Sequence, residues 1–467
     1  MKTMTQKKFT VDLLHGPILK SILLFAVPLF FSSVFQQLYN TMDTVIIGHT
    51  LGEEALAAMG AAGAVYDLLT GFSFGIGNGL AIVTARSYGS GDREYLKRSV
   101  AASIVIGICI TAVITVAVRF ILYPFLEILN TPVEIIDQAY AYISTITLFM
   151  GVMFAYNLCA GLLRAIGNSV MPLVFLILSS LLNIGLDFFF IMQLSMGVRG
   201  AAVATVIAQG VSVIACLVYI GKKAGILIPK REHFVRDRAL YQEMLAQGFS
   251  MAIMSSIVSA GTAVLQSGIN NLGYLVIAGH VAARKLFSLL MIPYIAISQT
   301  ISTFVAQNYG AGQMGRIRRA VKYSYLCGAV LTAGITLFTI PLAPTMVRLL
   351  SGSSEAVVIE NGALYLRVVA PCLMLLSLIN PTRFGLQSIG KKLLPVISSV
   401  IELIGKCLFV ALLIPRFQYM AVIFCEPVIW AFMDLELLWA FWSNPKVRAG
   451  KHEEKRREDR ENRSECG

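Results

Sequence analysis

The chain has 467 residues, 57% of them hydrophobic and only 14% charged. A soluble protein carries roughly 25% charged residues, so a soluble domain is excluded. The net charge of +12 is gathered in short segments between apolar runs. That is a membrane pattern, and no nucleic-acid partner is expected from it.

The apolar runs are about 20 to 30 residues long, the length of spanning helices. In chain order the predicted spans are 18–47, 56–84, 96–123, 134–163, 171–193 and 199–221, then 241–270, 275–304, 317–345, 357–388, 393–415 and 419–443. Lys2, Lys7 and Lys8 precede the first span, and Arg86, Arg93, Lys97 and Arg98 follow the second. Basic clusters recur from Lys222 to Arg238, around Arg316–Lys322, at Lys391 and Lys392, and from Lys446 onward, while the alternate loops hold Glu53, Glu54, Glu127, Glu134 and Glu355. The positive-inside rule then puts both termini in the cytoplasm of a multi-pass protein of the inner (plasma) membrane. The first apolar run is too long for a signal peptide, so no cleavable signal is expected. The eight cysteines form no CxxC pair and the five histidines are scattered, so neither a disulfide framework nor a metal centre is expected.

The chain also repeats itself. ARSYGSGDREYLKRSV from Ala85 to Val100 returns as AQNYGAGQMGRIRRAV from Ala306 to Val321. Leu51-Gly52 returns as Leu272-Gly273, and LRAIGNSVMP around Gly167 returns as LQSIGKKLLP around Gly390. Six spans per copy is an even number, so both copies insert the same way round. The expected fold is an all-α integral membrane protein of twelve transmembrane helices, in two six-helix lobes related by a pseudo-twofold axis along the membrane normal. Its predicted divisions are an N-terminal lobe (1–221), a basic cytoplasmic linker (222–240), a C-terminal lobe (241–443) and a charged cytoplasmic tail (444–467).

Taken along the chain, the polar residues inside the spans are the candidates for function, because a carboxylate at a helix centre costs about 2.5 to 3.5 kcal/mol on insertion scales. Asp43 lies about five residues before the exit of the first span, with Tyr39 one turn earlier. Asp67, in the second span, is a candidate second acidic site or a locally hydrogen-bonded residue. Gly71, Gly75 and Gly79 fall four apart there, a spacing that permits close helix contact. Asp187 lies about five residues before the exit of the fifth span, with Asn183 one turn earlier. Thr205 is near the same level on the sixth. Asp43 and Asp187 are therefore expected at matching depth, in one hydrogen-bonded cluster with Tyr39, Asn183 and Thr205. Asn157 falls about 10 Å from that level by counting.

The second half has Val264 and Val410 where the first has Asp43 and Asp187. Glu402 and Lys406 stand four apart and are expected to pair. Arg284 and Lys285 either face a wet cavity or meet Glu426 or Asp434. The halves thus match in architecture and differ in chemistry, which puts cation coupling in the first lobe.

With these residues in place, the chain resembles the multidrug and toxic compound extrusion (MATE) family over nearly its whole length. The resemblance rests on QQLYNTMDTVIIGHTLGEEALAAMG from Gln36, both YGxG elbows, LLRAIGNSVMP from Leu162, GVRGAAVAT from Gly197 and CEPVIW from Cys425. It implies a secondary active antiporter, not an enzyme, that exports organic, often cationic or amphipathic compounds in exchange for inward H+ or Na+. Access alternates between two lobes around a central cavity. Asp43, Asp187 and Asn183 match the first-lobe cation site of the DNA-damage-inducible branch, and Tyr39, Asn157 and Thr205 match its surrounding polar network. Gln36, Phe31, Phe35, Phe154 and Tyr156 are candidate lining residues of the substrate cavity. No cofactor is expected beyond the coupling ion, no metal beyond Na+ at that site, and no partner beyond a small organic substrate and membrane lipid; a monomer is expected. The alternative is a flippase for a lipid-linked oligosaccharide or cell-wall precursor, which calls for a ring of arginines around a pyrophosphate.

Overall fold

The computed structural model describes residues 9–128 and 131–451. Lys2, Lys7, Lys8 and the tail from residue 452 lie outside the described residues. Among the described residues there are thirteen α-helices: α1 (Ile18–Leu51), α2 (Glu53–Gly89), α3 (Arg93–Ile128), α4 (Val133–Leu148), α5 (Met150–Ala165), α6 (Val170–Asp187), α7 (Gly197–Lys223), α8 (Arg238–Ile269), α9 (Tyr274–Gly310), α10 (Met314–Ser351), α11 (Ala356–Ser388), α12 (Leu393–Leu408) and α13 (Ile414–Trp442). No strand occurs among the described residues. In lipid a helix satisfies its own backbone, which is why an apolar chain of this kind folds into helices alone.

Ten of these segments are long and apolar enough to cross a membrane, or eleven with α4 and α5 taken as one bent span. The stretch Leu393–Trp442 supplies two further crossings in place of one, because Gln418 leaves helical backbone at φ 51°. Twelve spans result, six per repeat.

The expected single helix over 134–163 is instead broken, with α4 and α5 meeting at Phe149 at 51°. The cause is local. Thr145 Oγ1 donates to Ala141 O at 2.7 Å and Thr147 Oγ1 to Ile143 O at 2.9 Å, and such back-bonding competes with the helical ladder. The carbonyl of Thr147 accepts from Thr115 Oγ1 of α3 at 3.2 Å. The fifth span likewise ends in a π-turn, Phe188–Gln193, and the eleventh in another, Phe409–Leu413.

The repeat is visible in the backbone. Gly52 and Gly273 have φ of 84° and 92°, and Gly167 and Gly390 have φ of 89° and 87°. Only glycine adopts this region without a Cβ penalty, so each elbow is written into the chain twice.

The protein forms two compact units. The first comprises residues up to Asp12 with Val27–Ile253, and the second Leu13–Ala26 with the chain from Met254 on. This division differs from the one expected at 222–240 in two respects, each with a physical reason. The first turns of α8 stay with the first unit because α2 grips them. A Cβ on Gly79 would lie 2.5 Å from the Cα of Gly248, and one on Gly75 would lie 2.7 Å from that of Ala252. Arg86 Nη1 also reaches Glu243 Oε1 at 2.8 Å. Gly71, the third of the spaced glycines, meets nothing within 4 Å. The segment Leu13–Ala26 joins the second unit because the second elbow holds it. Asn308 Nδ2 donates to Leu13 O at 3.0 Å, and Arg316 Nη2 donates to Leu13 O at 3.1 Å and Gly16 O at 2.8 Å.

Two apolar clusters support the first unit. One, including Leu80, Leu96, Phe154 and Leu163, lies toward the glycine elbows. The other, including Ile47, Ala58, Ile143, Ile191 and Ala202, surrounds the polar residues described next.

Candidate functional site

Three helices of the first unit bring five polar side chains together. α1 carries Tyr39 and Asp43, α6 carries Asn183 and Asp187, and α7 carries Thr205. All five are buried, with Asn183 at 0% and Asp187 at 1% exposure. Tyr39 Oη donates to Thr205 Oγ1 at 3.0 Å. With its amide nitrogen turned to the acids, as the surrounding donors and acceptors require, Asn183 donates to Asp43 Oδ1 at 2.8 Å and to Asp187 Oδ2 at 3.3 Å. Its other amide atom lies 3.5 Å from Thr205 Oγ1. The two carboxyl groups are also within hydrogen-bonding reach of each other. Two carboxyls this close can hold a proton between them, since neither has a donor when both are ionised. Asp187 Oδ1 has no hydrogen-bond partner among the described residues.

The local chain explains the placement. Asp187 is the last residue of α6, and the π-turn begins at the next residue. A π-turn shifts side-chain phase relative to an unbroken helix and recurs at functional positions.

Two tyrosines missed in the sequence complete the surroundings. Tyr66 of α2 and Tyr142 of α4 have ring centroids 6.5 Å apart, and both lie within electrostatic reach of Asp43. Each is on a different helix from the acids, so no spacing within one helix announces them.

The remaining candidates lie elsewhere. Asn157 Nδ2 donates to Met153 O of its own helix at 3.0 Å and packs beside Gly77, so it does not join the acid cluster. Asp67 is exposed on α2 and makes no ion pair among the described residues. Gln36 is exposed and donates to Asn40 Oδ1 at 3.3 Å. Phe31 is exposed and Phe35 half-buried on the same helix. Phe154 belongs to the core cluster and fills the space over Gly107, where a Cβ would meet its ring. Tyr156 is half-buried, within electrostatic reach of Cys216 and Arg164.

The second unit carries charge of another kind. Lys406 Nζ meets Glu402 Oε1 at 2.8 Å and Glu426 Oε1 at 3.8 Å. Arg284 Nη1 meets Glu426 Oε2 at 2.7 Å, and Tyr365 donates to the same oxygen at 3.2 Å. Arg284 therefore finds Glu426, while its neighbour Lys285 is exposed. Where the first half has Asp187, Val410 packs with Ile414 against Gly268 of α8.

Two packed helical units with a duplicated elbow and an intramembrane carboxyl pair define an integral membrane transporter of the repeat type. The MatE family model matches residues 28–189 and 250–412, once in each half, and the chain belongs to this family of multidrug and toxic compound extrusion transporters. It is 28% identical to the probable multidrug resistance protein YoeA of Bacillus subtilis, over 68% of this chain and 72% of that one. Identity to the probable multidrug resistance protein NorM of Thermotoga maritima is 26%, over 82% and 83%. The FAD transporter of Shewanella oneidensis is 24% identical, over 77% and 80%. Similarity to the DNA damage-inducible protein F of Escherichia coli extends over only 42% of the chain. Among solved structures, a MATE in complex with MaL6 superposes with a TM-score of 0.85 at 22% identity, covering 95% of this chain and 99% of that one. The outward-facing conformation of a multidrug resistance MATE transporter gives 0.84 at 22%, with the same coverage.

Proposed function

We propose that this protein is a secondary active antiporter of the plasma membrane. It exports organic, often cationic or amphipathic compounds in exchange for inward H+, by alternating access between its two lobes. It works as a monomer with both termini in the cytoplasm, and without a cofactor. The observation that carries the reading is the Asp43–Asn183–Asp187 arrangement, two buried carboxyls bridged by one amide. Membership of a multidrug family supports the substrate class.

One proton is held between Asp43 and Asp187 and titrates with the pair as a unit. A second proton arriving from outside removes the remaining negative charge. The bonds from Asn183 then rearrange, and with them the Tyr39–Thr205 contact that ties α1 to α7. Because α1 contains Pro28, its ladder is weak below the acids, and a change at Asp43 is passed on as a bend of this helix. The loss of negative charge releases a cationic compound outward.

Na+ is the competing driver. It takes several oxygen ligands, as hard cations do. A carboxyl pair bridged by one amide can hold a shared proton, which supports H+. Transport in vesicles with one gradient imposed at a time tests this. A proton gradient alone is expected to drive export. Full export with a sodium gradient alone at matched pH overturns the H+ assignment, and movement of a lipid-linked oligosaccharide without either gradient overturns the antiporter.

A further inference from the structure

The second unit carries a buried acid that meets no cation. Glu426 pairs with Arg284, Glu402 pairs with Lys406 and lies 4.0 Å from Arg383, and Glu436 lies within electrostatic reach of Arg383. Asp434 of α13 has no such pair. It is 5% exposed, and neither of its carboxyl oxygens has a hydrogen-bond partner among the described residues. No cation lies within ion-pair distance of it among the described residues.

Tyr325 of α10 is within electrostatic reach of Asp434. Tyr325 Oη and Thr382 Oγ1 of α11 are 2.6 Å apart, and Thr382 spends its own proton on Leu378 O at 2.6 Å. Tyr325 must therefore donate to Thr382. The side chain of Trp442 is also hydrogen-bonded to Tyr325, and the indole N–H only donates. Both hydroxyl protons are thus committed elsewhere, and no hydroxyl among the described residues donates to Asp434. An unpaired buried carboxylate is strongly disfavoured in these conditions. One carboxyl is also too few to replace the ligand shell of a hard cation. Asp434 lies about 12 Å from the elbow end of α13 by helical rise, on the side the proposed orientation puts toward the cytoplasm.

We propose that Asp434, buried on α13 with neither carboxyl oxygen bonded, is a second proton-binding site of this transporter, built into the C-terminal unit apart from the Asp43–Asp187 pair. It rests on the antiporter reading and adds one proton to each cycle. Asp434 takes a proton as a neutral acid in one state of the cycle and returns it to water in the other. The half that lacks the first lobe's acid pair then carries its own loading site, on its last helix rather than its first.

The test is the number of protons exchanged per substrate, measured with the full-length protein in proteoliposomes from the proton gradient at which net flux of a cationic dye reverses. Asp434→Asn mimics the neutral acid. It is expected to lower the ratio by one while export persists, whereas Asp43→Asn is expected to stop gradient-driven export. An unchanged ratio in Asp434→Asn overturns the proposal. Infrared difference spectra of the parent between acidic and alkaline buffer give a reading that needs no transport. A carboxylic carbonyl band that shifts in Asp434→Glu and titrates supports the site, and a band at that position that never titrates marks a permanently neutral structural acid and overturns it. A parent that moves dye with no proton exchange defeats the antiporter reading itself, and the infrared result still decides Asp434.

Discussion

Ser195 and Gln418 hold the same rare backbone twist, φ 50° and 51°, at matching points of the two halves. The spacing that relates Gly167 to Gly390 also relates these two, and each follows a π-turn that ends its span. Neither is glycine, so both sites carry strain that nothing in the side chain relieves. Left-handed backbone costs a non-glycine residue about 1–2 kcal/mol. Ser195→Gly and Gln418→Gly should each raise the thermal midpoint of the purified protein, Gln418→Gly the more, since its ψ of −135° lies in a region that is essentially glycine's own. A lowered midpoint for both would show that the strain is absent.

The seam between α2 and α8 leaves no room for a side chain. Gly79→Ala would place a methyl group 2.5 Å from the Gly248 backbone, and overpacking of that kind costs about 1–3 kcal/mol. Gly71→Ala, which meets nothing within 4 Å, should be neutral. Thermal melting of the two variants side by side checks this, with Gly71→Ala as the matched control.

Lys406 is 2% exposed and lies between Glu402 and Glu426. Lys406→Met removes the close cation of buried Glu402, while Glu426 keeps Arg284, and should destabilise the protein by about 3–5 kcal/mol. The exposed pair Lys230–Glu232, at 3.5 Å, should contribute about 0–1 kcal/mol, so Lys230→Ala should melt as the parent does.

Tyr39→Phe keeps the ring and removes the hydrogen bond to Thr205. The loss should be about 0.5–1.5 kcal/mol in stability, together with slower gradient-driven export at unchanged substrate affinity. Unchanged export would remove Tyr39 from the coupling pathway.

Much of this was legible in the sequence, and the limits have physical causes. Spans, elbows and the duplicate were readable because hydropathy and positive-φ glycines act locally. Asp43, Asn183 and Asp187 were readable as one level because helical rise converts residue counts into depth. The bend at Phe149 was hidden, since hydroxyl back-bonding by Thr145 and Thr147 leaves hydropathy untouched. Whether Phe154 packs or lines a cavity is not legible, because an aromatic facing a void and one covering Gly107 have the same sequence neighbours. Tyr66 and Tyr142, and the choice of Glu426 by Arg284, arise only when helices pack. The assignment of residues 13–26 to the second unit rests on Asn308 and Arg316, nearly three hundred residues away in the chain.

The claim on which the account turns is that the carboxyls joined by Asn183 load the coupling ion. Reconstituted parent, Asp43→Asn and Asp187→Asn, compared for dye export under an imposed proton gradient, test it most directly. The account predicts that both variants bind dye as the parent does and export it at least tenfold more slowly. Export at the parent's rate by either variant would contradict it.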